Sequence, residues 1–98
     1  MKENEFQAHV IRRLKQEYEG CIVIKQDPDY MQGIPDLIIL WRDRWAMLEV
    51  KASADAPDRP NQPYYIDMFN NMSFARFIYP ENEEQVFDEL QQALEPRR

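Results

Sequence analysis

Cysteine, histidine and glycine are nearly missing from this sequence. Its 98 residues include one Cys, one His and two Gly. A lone Cys21 excludes an internal disulfide framework and a cysteine-built zinc site. Two glycines and no Ser-rich stretch leave no flexible linker, no repeat and no glycine-rich phosphate loop. A Ser/His/Asp set is also absent. No apolar run approaches the roughly 18 residues of a membrane-spanning helix. The first residues, Met1 to Glu5, carry no apolar stretch behind a basic start, so no signal peptide is expected and the expected setting is reducing and cytoplasmic. Positive charge is short as well: 12 Lys and Arg stand against 18 Asp and Glu, for a net charge of -6. That balance excludes a histone-like coating of nucleic acid. It leaves room for an enzyme that meets phosphate through a few local basic groups and a bound cation.

What is present suits one small domain over residues 1–98. Hydrophobic residues make up 44% of the chain, enough for one modest core. Phe6, Val10, Ile11, Leu14 and Tyr18 recur at helical spacing, predicting an amphipathic helix from about Lys2 to Tyr18, closed by Gly20. Cys21 to Lys25 reads as a strand. A loop follows, carrying the turn formers Asp27-Pro28-Asp29 and Gly33. Leu37 to Trp41 and Trp45 to Lys51 are two apolar runs parted by Arg42-Asp43-Arg44, the pattern of a β-hairpin. Being apolar throughout, they are expected to be central and covered on both faces.

Ala52 to Pro60 reads as a loop. A helix is expected to begin near Pro60 to Gln62, with Gln62, Ile66 and Phe69 facing inward. Phe74 to Tyr79 is a further strand. Asn82 with Gln85 forms a capping-box signal for a last helix built on Val86, Phe87, Leu90 and Leu94. Glu95 to Arg98 is expected to fray. The order α-β-β-β-α-β-α belongs to the α/β (α+β) class, with a mixed central sheet flanked by helices.

Three charged residues stand where a core does not want them. Asp36 opens the second strand behind Pro35. Glu49 and Lys51 project from one face of the third strand, about 7 Å apart. The hairpin returns Asp36 beside Glu49, and two converging carboxylates can hold a hard divalent cation such as Mg²⁺. A lysine at the cation's edge can position or activate water. The plainer alternative is a buried Glu49–Lys51 ion pair with Asp36 as a turn residue. Most other polar and aromatic residues read as structural. His9 suits packing or the surface, Asp27 and Asp29 suit turn formation, and Trp41, Trp45, Tyr64, Tyr65 and Tyr79 suit core or interface. Cys21 is a small core hydrophobe.

The run Gly33-Ile34-Pro35-Asp36, followed by Glu49-Val50-Lys51, resembles the PD-(D/E)XK nucleases, and among them the small VRR-NUC group often encoded by phages. The likeness extends from Glu5 to about Leu94. Gln62 matches the group's glutamine at the start of the following helix, and Glu5 its first-helix glutamate. The sequence departs from the group's pattern at Arg59, where Ser or Thr is common, and at Pro63. The resemblance implies a restriction-endonuclease-like core in which Asp36, Glu49 and the Val50 backbone carbonyl bind Mg²⁺, with Mn²⁺ able to substitute. It implies that Lys51 orients or deprotonates the attacking water. Gln62 would position water or phosphate, and Glu5 would join the site as a metal ligand through water or as the site of a second cation.

The function implied is metal-dependent endonuclease cleavage of DNA leaving 5′-phosphate and 3′-hydroxyl ends. Branched DNA such as a four-way (Holliday) junction is the implied substrate. The alternatives are a nicking or flap-type nuclease of repair or packaging, and a non-catalytic nucleic-acid-binding protein on a nuclease fold. The expected partners are DNA and a second copy of the chain, with no membrane and no organic cofactor. If the chain is phage-encoded, the setting is the host cytoplasm. Arg12, Arg13, Arg42, Arg44, Arg59 and the Arg97-Arg98 tail are candidate phosphate contacts. Trp41, Trp45, Tyr64, Tyr65, Met68 and Met72 offer surface for a dimer.

Overall fold

The computed structural model describes residues 1–27 and 29–95. Pro28 of the expected turn and the Arg97-Arg98 tail therefore lie outside the described residues. The elements are α1 (Glu3–Glu17), β1 (Ile22–Lys25), β2 (Leu37–Trp41), β3 (Arg44–Val50), α2 (Gln62–Met72), β4 (Ala75–Ile78), a short 3-10 turn (Pro80–Asn82) and α3 (Glu83–Leu94). They follow the order expected from the hydrophobic pattern. Among the described residues no helix is long and apolar enough to cross a membrane.

The four strands form one mixed sheet in the order β1-β2-β3-β4. β1 and β3 each pair with β2 antiparallel, and β4 joins β3 in parallel. Parallel neighbours need a crossover, and α2 supplies it. In the hairpin Leu37 lies opposite Leu48 and Ile39 opposite Ala46. Strand alternation puts these residues, with Trp41 and Val50, on one face. There they meet Phe6, Val10 and Leu14 of α1 and Val86, Phe87, Leu90 and Leu94 of α3. Fully burying each of these large side chains stabilises the fold by about 1.5–3 kcal/mol. His9 and Arg13 of α1 bind Glu83 of α3, and Arg13 also binds Glu84 and Glu17, so polar pairs rim this core. Arg13 is thereby occupied by three carboxylates rather than open to a phosphate.

The second sheet face differs from expectation. α2 packs on it at β3 and β4, while over β1 and β2 much of it stays open, with Ile38 half-buried. Ile22, Ile24 and Leu40 are 57%, 43% and 38% exposed, so β2 is central in the sheet without being covered on both faces. One helix is too narrow to span four strands spaced about 4.8 Å apart. Two smaller expectations change as well. Asn82 does not cap α3 through its side chain. Its Oδ1 accepts the Tyr79 N–H at 2.9 Å and its Nδ2 donates to the Phe77 carbonyl, which closes the turn one step earlier. Trp41 is no interface residue: it is buried against Tyr18, and its indole N–H donates to the Glu19 carbonyl at 3.0 Å.

Candidate active site

Extending the hairpin register by one residue past Leu37 and Leu48 sets Asp36 opposite Glu49, both on the face away from α1. Asp36 is fixed there by its own strand end. Its carbonyl accepts the Gln26 N–H at 2.7 Å, and its carboxylate Oδ2 accepts the Val50 N–H at 2.9 Å. The Met47 and Lys51 N–H groups bond to β4, so the Val50 N–H and carbonyl face the other edge, toward Asp36. Two carboxylates and one backbone carbonyl therefore converge at the mouth of the hairpin.

Glu49 is 3% exposed, and its Oε1 is buried with no hydrogen-bond partner among the described residues. Leaving such an acceptor unsatisfied is unfavourable by about 1–3 kcal/mol, and more when the group is charged. Burial pushes the Glu49 carboxyl up to about 9, and the adjacent Asp36 carboxylate raises it further within that value. Lys51 opposes the rise but does not cancel it. A carboxyl pair in this condition shares a proton or takes up a cation.

Lys51 lies one residue beyond the end of β3 and is 5% exposed. Its Nζ donates to Gln62 Oε1 at 2.5 Å and to the Pro57 carbonyl at 3.0 Å, with Asp58 at 3.7 Å. Its ion pair is thus with Asp58, and the plain Glu49–Lys51 bridge does not form. Gln62 is 6% exposed, and the same Oε1 also accepts the Arg59 N–H at 2.8 Å. One buried amide thereby ties the strand lysine to the loop that leads into α2.

Two cavities meet over the carboxylates. The larger, about 380 Å³, runs from Asp36 and Glu49 along the loop of Gln26, Gln32 and Gly33. The smaller, about 240 Å³, includes Glu3, Lys51 and Asp58. Asp36, Glu49, Arg59 and Gln62 line both. Gly33 keeps the walls together. Its φ is +92°, and a Cβ there would lie 2.7 Å from the Pro60 carbonyl and 2.8 Å from Asn61 Cβ. Asn61 itself has φ +69°. Gly33→Ala is expected to destabilise the protein by about 2–3 kcal/mol, since strain and a backbone clash combine. Urea unfolding checks this, and a midpoint unchanged from wild type would show that the two loops do not depend on this close approach.

Asp36, Glu49, Val50, Lys51 and Gln62 are thus gathered at one place. Glu5 is not among them: it is exposed and lines neither cavity, whereas Glu3 lines the smaller one. Two residues along a helix turn it by about 200°, so the two glutamates face opposite ways. The signal for Glu3 is in the sequence. It continues the buried stripe of Leu14, Val10 and Phe6 backward by three residues.

The donor set fits Mg²⁺, which keeps several waters and takes one or two carboxylates plus substrate phosphate. Among the described residues no three His, Cys, Asp or Glu side chains gather to form a closed cation cage. Comparison with known protein families, curated proteins and solved structures finds no match for the chain.

Proposed function

We propose that the protein is a Mg²⁺-dependent DNA endonuclease of the PD-(D/E)XK kind, acting on branched DNA such as a four-way junction. The observation that carries this reading is the buried, unpartnered Glu49 Oε1 opposite Asp36, beside a lysine pinned by Gln62. Asp36, Glu49 and the Val50 carbonyl would hold the cation, and Mn²⁺ would substitute for it. Bound there, the cation supplies charge neutralisation on the phosphate and a more acidic water. Lys51 presents an N–H to the attacking water, and Gln62 holds that ammonium in place. Glu3, rather than Glu5, reaches the site through water from the helix side.

Labelled duplex, single-stranded, flap and four-way-junction DNA, incubated with Mg²⁺ or with EDTA, test the reading. Junction cleavage in Mg²⁺ alone is expected. Nicking of unbranched duplex would favour a repair or packaging nuclease, and binding without cleavage in Mg²⁺ would favour a non-catalytic protein.

A symmetric junction needs two cuts, and one chain carries one site, so the active form in this reading is a homodimer. The open part of the sheet face with exposed Ile22, Ile24 and Leu40 is the surface that suits a second copy, and Tyr64 and Met72 of α2 are exposed as well. Light scattering at micromolar concentration is expected to give twice the 11.9 kDa chain mass. A mass of one chain would remove the physical basis for paired incisions.

A further inference from the structure

We propose that Arg59 is the residue that anchors the substrate's phosphate backbone at this site; the inference rests on the nuclease reading above. It starts from the charges around the two cavities. Glu3, Asp29, Asp36 and Asp58 bring acidic side chains to their walls beside Glu49, and only Lys51 and Arg59 bring basic ones. Lys51 is taken up within the site: its Nζ bonds to Gln62 and the Pro57 carbonyl with Asp58 at 3.7 Å, and the remaining N–H is the one assigned to the attacking water. The Arg59 guanidinium has no ion pair or hydrogen bond among the described residues, and the residue is exposed. Besides the bound cation of that reading, a polyanion entering this mouth therefore meets one uncommitted basic side chain among the described residues.

The other arginines among the described residues are spent or distant, Arg44 included: it lines neither cavity and donates to the Ala93 carbonyl at 3.4 Å. Arg13 is held by Glu17, Glu83 and Glu84, and Arg76 by Glu89 and Asn70. Arg42 lies over the Trp41 ring at 4.0 Å, at the opposite end of β2. Six residue steps along the strand place it roughly 20 Å from Asp36. Arg12 lines neither cavity.

Arg59 is also held in position. Its backbone N–H donates to Gln62 Oε1, the atom that binds Lys51, and its carbonyl accepts the Gln62 N–H at 3.2 Å. The next two residues pack on Gly33. The main chain of Arg59 is thus fixed relative to the carboxylates on both sides while its side chain stays open to the cavities. A guanidinium in that place suits a phosphate oxygen pair, which it can meet with two parallel N–H groups. Because the link to Gln62 runs through the backbone, substituting the side chain leaves it intact.

The test is equilibrium binding of fluorescein-labelled four-way-junction and duplex DNA in Ca²⁺, followed by anisotropy over a range of salt. Arg59→Ala is expected to bind the junction about tenfold more weakly, the scale of one charge-assisted hydrogen bond. Its plot of log affinity against log salt should be shallower by about 0.9, the release of one counterion fewer. Arg59→Lys should keep the wild-type slope, and Arg42→Ala should keep both slope and affinity. Melting temperature should be unchanged in all three. An unchanged slope for Arg59→Ala, or an equal loss for Arg42→Ala, overturns the assignment while leaving a wild-type protein that cuts DNA as a nuclease. Failure of the wild type to bind or cut either DNA overturns the nuclease reading, and the anchor with it.

Discussion

Glu49→Gln and Asp36→Asn are expected to lower the single-turnover cleavage rate by about 10²–10³-fold or more, with Lys51→Ala in the same range. In the proposed reading each removes a preorganised group aimed at charge that develops in the transition state, and losses of that size are usual for such groups. The three do not act alike. The carboxylate variants lose cation affinity, so raising Mg²⁺ should recover part of their rate. Lys51→Ala keeps both carboxylates, so added Mg²⁺ should not rescue it. Gln62 Oε1 would still accept the Arg59 N–H in that variant, which keeps the loop in place. Circular dichroism should show all three folded. A near-wild-type rate in any of them removes that residue from the site.

The second large effect is on stability against pH. The Glu49 carboxyl rises from its ordinary value of 4.5 to about 9 because it is buried, with Asp36 adding to the rise. In the metal-free protein the folded state then holds a proton that the unfolded chain has released. The Glu49 contribution to stability is fullest below about 4.5 and falls as pH climbs toward 9, with a slope approaching about 1.4 kcal/mol per unit. Glu49→Gln, neutral at every pH, should flatten the profile. At pH 8 it should raise the metal-free melting temperature above wild type by about 5 °C or more. A divalent cation should stabilise the wild type strongly at pH 8 and little at pH 5, where protons compete for the carboxylates. Urea midpoints from pH 5 to 9, with EDTA and with Mg²⁺, measure all of this. A wild-type profile that rises over that range would mean that Glu49 is ionised in the folded protein without a cation.

Much of this arrangement is legible in the chain. Alternation and run length give the hairpin, and its short turn at Arg42-Asp43, with Arg44 already paired to Trp41, returns Asp36 to Glu49 with little freedom, because register follows from the turn. The α1 stripe is equally plain, and carrying it back one turn reaches Glu3. Glu5 draws attention through motif resemblance, which counts residues and not helix angle. The hydrogen bonds of Lys51 are less legible. Its partners lie six to eleven residues on, across a proline-containing loop whose path depends on Gly33 packing against Pro60 and Asn61. Ile22, Ile24 and Leu40 mislead for another reason. Apolar side chains on a strand mark a face that can be buried, and sequence does not say by what.

Cation binding by the carboxylate pair can be read directly by electron paramagnetic resonance of Mn²⁺ titrated with the protein, because bound Mn²⁺ loses its sharp free-ion signal. If Asp36 and Glu49 hold the ion, wild-type protein at pH 8 should remove Mn²⁺ from the free pool, Mg²⁺ should return it, and Asp36→Asn should remove far less. Mn²⁺ left free by the wild type, or taken up equally by Asp36→Asn, would contradict a carboxylate-held cation as the basis of this site.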